Sequence, residues 1–376
     1  WAKNRNGIVT ASWHINVPID FGNYEVGDVV DWQKCTYKNY QASQSTFNTA
    51  NVLKEGTKER EYFEAAMKML AEQLEILQSN NIPVIFRPLH EAQGNDGLYP
   101  DGTSWFWWGD RGPEVYKELW KLLFTTLTEK YQLHNIIWEF NSYDYESSPE
   151  WYPGDDFVDI VAYDKYNVEY NRGDGKNSGP NLLAIPAKFD SLFNLTKGTK
   201  MVAMAENDTI PALDNILVED ACWLYFCPWY DGGEDGGTPF LGENYQDYDE
   251  LTKMYQSEYC ITLDELPKNL YSFGNSSETS ATTSVTTTST TTNAVPSSIF
   301  YGDANCDKEV NLADVVLIMQ SLASPSRFGV NGSESSHITN QGLLNADCTG
   351  KGDGLTNLDA LAIQKYLLKL IQKLPE

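Results

Sequence analysis

Residues 82–91, Ile-Pro-Val-Ile-Phe-Arg-Pro-Leu-His-Glu, begin as a strand without a polar face and end in three ionisable side chains. Four of the first five residues are apolar, and Asn80-Asn81 before them reads as the turn that closes a helix. A short run that is apolar throughout is a strand of a fully buried sheet. Such a strand has no packing reason to finish on Arg87, His90 and Glu91. In barrels of parallel strands, the carboxyl ends of the strands carry the chemistry. A solvated loop is the ordinary place for a glutamate, so the rest of the chain has to decide between the two readings.

Upstream, residues 59–80 repeat Phe63, Met67, Leu70, Leu74 and Leu77 at helical spacing. Downstream, an aromatic loop leads to a second helix at 112–131. Further strands are predicted at 7–14, 135–141, 157–166, 201–207 and 221–230, with mixed helix and turn at 180–196. Strands alternating with helices predict an α/β fold with a parallel sheet, and the polar or aromatic end of each strand points to a barrel. Six strands are legible, two short of eight, and Trp1–Asn4 reads as the tail of a helix entering the first of them. The expectation is a TIM barrel truncated at its N-terminus, whose open edges reduce stability and activity.

A length of 376 residues allows two or three domains, and a net charge of −26 argues against nucleic acid and anionic membranes as partners. Aromatic residues make up 13% of the chain, and amphipathic rings suit flat polar ligands such as sugars. No apolar run is long enough to span a bilayer, and no secretory leader is legible. The six cysteines are dispersed and lack zinc spacing; Cys222 and Cys227 read as buried thiols or one local bridge. Residues 275–298 are mostly Ser and Thr, the composition of a solvated linker. The domains expected are therefore 1–273, a linker at 274–298, and 299–376.

In the last of these, Asp303, Asn305, Asp307, Asn311 and Asp314 place oxygens at positions 1, 3, 5, 9 and 12 of a loop, with the Glu309 carbonyl at position 7. That spacing wraps one calcium ion, and an apolar helix follows. A second copy, one residue longer, offers Asp347, Thr349, Asp353 and Asp359 before another helix. Two loop–helix copies in one small all-α domain argue against plain turns. Residues 300–370 resemble a dockerin, the module that plugs cellulosomal enzymes into a cohesin on a scaffoldin. Dockerins often carry Ser-Thr at loop positions 10 and 11, where this chain has Leu312-Ala313 and Asn357-Leu358. The longer second loop looks more like ruminococcal dockerins. The resemblance implies structural calcium and a cohesin partner.

Two carboxylates, Glu91 and Glu206, end two different strands, as glycoside hydrolysis requires. Tyr166, ending the strand between them, is placed to hydrogen-bond Glu206 and keep it ionised. The Trp105–Trp108 run lies in a Gly-, Asp- and Ser-rich loop where burial is hard to arrange, so these rings, with Trp229-Tyr230, are expected as stacking faces. Arg87-Pro-Leu-His90-Glu91, then Trp105-Phe-Trp-Trp-Gly109, with Trp13-His14 upstream and Glu206 downstream, resemble glycoside hydrolase family 26 over residues 1–270. The resemblance implies a (β/α)8 barrel and a retaining mechanism without a catalytic cofactor. Glu91 matches the general acid/base and Glu206 the nucleophile, with carboxyl groups about 5–5.5 Å apart. His14, His90, Trp105, Tyr166 and Trp229 match residues lining the cleavage subsite.

The family's best-known members are endo-β-1,4-mannanases, which implies a secreted, extracellular enzyme acting on β-mannan from a cellulosome. Alternatives are a β-glucanase or xylanase of the same family, or a non-catalytic carbohydrate-binding barrel, which would need neither carboxylate. The Gln93–Ser104 loop is longer than in most mannanases and is expected to reshape the subsites.

Overall fold

The six expected strands form β1 (Val9–Trp13), β2 (Val84–Pro88), β3 (Ile136–Asn141), β4 (Ile160–Lys165), β5 (Met201–Asn207) and β6 (Phe226–Pro228). They build one sheet in chain order, with every neighbouring pair parallel. The computed structural model describes residues 1–36, 40–94, 104–166, 171–176, 179–183, 185–229, 242–267, 270–271, 299–323, 325–334, 336–349, 354–367 and 371–375. The 274–298 linker, most of the Gln93–Ser104 loop, Tyr230 and Asp353 lie outside the described residues. The chain divides into two compact units, one of Ala2 and Ile8–Ile261, the other of Trp1, Lys3–Gly7 and Thr262–Glu376.

In the larger unit, helices α1 (Lys58–Ser79), α2 (Gly112–Thr125), α3 (Pro186–Leu195) and α4 (Tyr248–Tyr255) follow β1, β2, β4 and β6. Thr57 caps α1 by accepting from Arg60 N, and Tyr62, Phe63, Ala66, Met67, Ala71 and Leu74 form its buried stripe. Burying each of the larger side chains contributes about 1.5–3 kcal/mol. Adjacent parallel strands joined through helices are the wall of a (β/α)8 barrel, of which the described residues supply six strands. Some ends differ from expectation. β6 runs to Pro228, and Trp229 N makes one further bond to β5, to Asn207 O. The helix expected to reach residue 131 turns π-helical at Thr126–Lys130.

The pleat sorts side chains onto two faces. Val84, Phe86, Trp138, Phe140, Val161, Tyr163, Val202 and Met204 join the large outer core against the helices. Ile85, Ile137, Ile160, Ala162, Ala203 and Ala205 form a separate inner cluster. The next inward positions after Ile85, Ile137 and Ala162 are Arg87, Glu139 and Asp164. Strict alternation would turn Glu206 outward beside Met204. Instead Tyr163 pairs with Met204 and Asp164 with Glu206, so Ala205 is the extra residue of a β-bulge. The bulge re-aims Glu206 to the inner face.

The aromatic loop departs from the sequence expectation. Phe106, Trp107 and Trp108 are buried, and only Trp105 is exposed, at 47%. Burial is possible because the indole donors are satisfied: Trp107 Nε1 donates to Ile15 O (2.7 Å) and Trp108 Nε1 to His90 O (2.8 Å). Among the described residues no cysteine is in a disulfide, and Cys227 is exposed rather than buried.

In the second unit, α5 (Leu312–Ala323) packs on α7 (Asn357–Leu367), with α6 (Asn340–Ala346) between them in sequence. Ile318, Ile338, Ala346, Cys348, Ala362 and Ile363 form its core. No helix among the described residues is long and apolar enough to cross a membrane.

Gly109 closes the aromatic turn against the backbone that follows Glu91. A Cβ there would lie 1.8 Å from the Ala92 carbonyl oxygen. Gly109→Ala is therefore expected to cost about 2–3 kcal/mol, measured by denaturant unfolding; an unchanged midpoint would show that the turn yields freely.

Candidate active site

β2 delivers Glu91 through two left-handed residues, Leu89 at φ 50° and Glu91 at φ 49°. Non-glycine residues in that region cost of order 1 kcal/mol each and persist only where their surroundings over-determine them. Here Tyr116 Oη donates to Leu89 O (3.1 Å), Trp108 Nε1 to His90 O, and Glu91 N to Asn141 Oδ1 (2.8 Å). The kink turns the Glu91 carboxyl towards those of β4 and β5. Carboxylate oxygens of Glu91, Asp164 and Glu206 lie within 4.8 Å of one another.

Arg87 sits among these acids at 5% exposure. It donates from Nη1 to Asp164 (3.1 Å) and from Nη2 to Glu206 Oε1. Burial works against its charge, but Asp164, Glu206 and Glu139 outweigh it and raise the pKa, so the guanidinium stays charged. Tyr166 Oη donates to Glu206 Oε2 (2.6 Å), which gives each Glu206 oxygen a donor. Burial pushes the Glu91 carboxyl up to about 7, with the Glu206 charge adding to the rise, and Arg87 and a hydrogen bond with Asp164 opposing it. Asp164 is also raised, by burial first. One cation thus stands among acids that differ in their readiness to ionise.

His14 and His90 meet edge to face at 4.8 Å, and Phe106 packs on both. Burial lowers both imidazole pKa values, so the two rings are neutral near pH 7. Glu91, Glu206, Tyr166, His14 and His90 therefore share one cluster. Trp105 stands at its edge, 6.3 Å from the Phe106 ring, and Gly94 is the only residue type that fits beside its Cβ. Trp229 is half-buried, and its N–H donates to Asn207 O (2.8 Å), one residue past Glu206. The sequence reading assigned no role to Arg87, Asn141, Asp164, Glu139 or Tyr225. The signal for the charged three was their place two residues beyond an inward aliphatic side chain.

In the smaller unit, Asp314 is fully buried and accepts from Asn305 N (3.1 Å) and Asn311 N (2.9 Å). Asp303 is 3% exposed; its Oδ2 accepts from Lys308 N, while its Oδ1 is buried without a hydrogen-bond partner. Asp307 folds back on Asn305. Burial raises the Asp314 pKa, and the charges of Asp307 and Asp303 add to it. The buried Asp303 Oδ1, left without a hydrogen-bond partner, is a hard oxygen of the type a divalent cation takes. In the second loop, Asp359 is fully buried and accepts from Cys348 N, Thr349 N and Thr356 N. Asp347 and Thr349 open that loop.

Residues 1–265 match the family Glycosyl hydrolase family 26, and the chain belongs to that family. It is 33% identical over 264 residues to a mannan endo-1,4-β-mannosidase of Thermothelomyces thermophilus, covering 70% of this chain and 47% of the relative. A crystal structure of a ruminal GH26 endo-β-1,4-mannanase superposes with a TM-score of 0.63 at 54% identity, over 71% of this chain and 53% of that one. The chain spans less than half the length of the curated mannosidases it matches most fully. Its C-terminal part is 53% identical over 76 residues to a xylanase/β-glucanase of Ruminococcus flavefaciens, covering 20% of this chain and 10% of that one. The same part is 60% identical to a chain in the complex of the third ScaB cohesin of R. flavefaciens with a group 1 dockerin, covering 20% and 95% of the two chains at a TM-score of 0.20.

The raised Glu91 pKa has a consequence for stability. Its ordinary value is 4.5 and its folded value about 7, so the folded protein binds this proton more tightly. The stability so gained is complete below pH 4.5 and is lost as pH rises through 7. Glu91→Gln is neutral throughout and is expected to match the wild type at pH 4 but melt about 3–6 °C higher at pH 8. Equal melting temperatures at pH 8 would remove the case for a tightly held proton.

Proposed function

We propose that this chain carries the catalytic barrel of an endo-acting, retaining β-1,4-mannanase on residues 1–273, joined by a 274–298 linker to a calcium-binding dockerin on 299–376. The observation that carries the reading is the unequal pair of carboxyls: Glu91 raised towards neutrality, Glu206 clamped by Arg87 and Tyr166. Glu206, with a donor on each oxygen, is the nucleophile and attacks the anomeric carbon. Glu91 gives its proton to the leaving glycosidic oxygen as that bond breaks. The Glu91 carboxylate then takes a proton from water, whose oxygen displaces Glu206 from the sugar and restores both acids. Carboxylate oxygens within 4.8 Å of one another fit the separation of about 5–5.5 Å in retaining enzymes better than that of about 6.5–9.5 Å in inverting ones, which supports retention. His14, His90, Tyr166, Trp105 and Trp229 form the walls against which the sugar is held.

In the dockerin, Asp303, Asn305, Asp307, Asn311 and Asp314, with the Glu309 carbonyl, hold one calcium ion. Asp347, Thr349, Asp353 and Asp359 hold a second. The ions supply folding energy to the loop–helix units that meet a cohesin, and place the enzyme outside the cell on a scaffoldin. Catalysis draws on neither ion.

The test is a product profile on linear mannan, galactomannan, lichenan and xylan. Mannan oligosaccharides with retained anomeric configuration are expected; xylan or lichenan as the preferred substrate would overturn the assignment. Glu206→Ala is expected to lower kcat by about 10³-fold or more while mannan oligosaccharides still bind, as read by calorimetry. For the wild type, kcat/KM is expected to fall as pH rises through about 7, where Glu91 loses its proton. Chelator is expected to abolish cohesin binding and spare hydrolysis; loss of both would contradict the division of labour between the units.

A further inference from the structure

Beneath the cluster lies an acid that the proposed chemistry does not use. Glu139, on the inner face of β3, is 1% exposed and accepts a hydrogen bond from Tyr225 Oη. Phe86 pairs with Trp138 across β2 and β3, so Arg87 and Glu139 stand at the same level on neighbouring strands. Tyr225 precedes β6 and is fixed by its carbonyl, which accepts from Met204 N (2.9 Å). Ile85, Ile137, Ala162, Ala203 and Tyr225 form the apolar inner cluster of this floor. A carboxyl has no packing use in such a place, where an aliphatic residue would fill the space at lower cost.

We propose that Glu139, held by Tyr225, is a positioning residue that acts through Arg87 to set how firmly Glu91 keeps its proton. The inference rests on the glycosidase reading above. The ionisable groups around this floor are His14 beyond β1, Arg87 from β2, His90 and Glu91 beyond its end, Asp164 from β4 with Tyr166 after it, Glu206 from β5, and Tyr225 and Cys227 at β6, both imidazoles being held neutral by burial. Arg87 is the one cation among them, and it opposes the rise of the Glu91 pKa. Burial raises Glu139 to about 7, with the Tyr225 hydrogen bond and Arg87 opposing the rise. As Glu139 ionises, its negative potential offsets part of the positive potential of Arg87 at Glu91, so the charged form of Glu91 is less favoured. Glu91 then holds its proton to higher pH, which widens the working range on the alkaline side.

Two variants separate this from a structural role. Glu139→Gln removes the charge and keeps the shape. Tyr225→Phe removes the donor that favours the Glu139 carboxylate, so Glu139 stays neutral to higher pH. Both are expected to move the Glu91 midpoint, followed by ¹³C NMR of the side-chain carboxyl, down by roughly 0.5–1 pH unit. The alkaline limb of kcat/KM on linear mannan is expected to move with it, while the acid limb, where Glu139 is already protonated, stays in place. The double variant is expected to shift no further than either single one. A Glu91 midpoint unmoved in both single variants would overturn the inference, even if their melting temperatures fell. A shifted midpoint in a protein that cleaves none of the four polysaccharides would instead uphold the coupling and defeat the glycosidase reading.

Discussion

A guanidinium buried to 5% exposure must be paired, because an uncompensated charge inside a protein costs several kcal/mol. Arg87 meets that demand by bonding Asp164 on β4 and Glu206 on β5, so one side chain ties three strands together across the barrel. The arrangement also divides protons. Four carboxyls surround a single positive charge, and simultaneous ionisation of all four would leave a large net negative charge in a low-dielectric interior. Glu206 takes the best of the cation. Glu91, further from its reach and desolvated, keeps a proton. Glu91 and Glu206, two residues of the same type, are thereby made chemically unlike.

The aromatic residues serve this division indirectly. Trp107 and Trp108 are not sugar platforms; their indole nitrogens bind the carbonyls of Ile15 and His90 and brace the chain where it leaves β1 and β2. The left-handed turns at Leu89 and Glu91 would relax without such bracing. Backbone strain, hydrogen-bonded indoles and the tight approach of Gly109 to Ala92 therefore act as one support beneath one carboxyl. Trp105 is the ring of this run left facing outward.

Much of this was legible before any coordinates. The strands, the long helix at 58–79 and the tandem loops follow from apolar periodicity and oxygen spacing, which are local signals. Glu91 and Glu206 announced themselves as charges at the ends of apolar strands. Burial of the Trp cluster was misread, because whether an indole can be buried depends on a carbonyl partner many residues away. Arg87, Glu139 and Asp164 stayed without roles for a related reason: each is one polar residue in an apolar strand, and its meaning lies in facing the others. Pairing across strands is a property of register, and register is not written in any one strand.

Register also decides where Glu206 points. Ala205 is an extra residue opposite the Tyr163–Asp164 step; paired as a regular ladder residue it would send Glu206 into the helix-facing core beside Met204. The direction of this carboxylate is therefore a feature of the backbone ladder and not of its own rotamer. A ladder that paired Ala205 in regular register would leave every functional side chain in the sequence and still dismantle the site. Conversely, a designer moving this pair of acids to another barrel would have to transplant an irregularity: the motif to be copied is a fault in the pleat with a glutamate behind it.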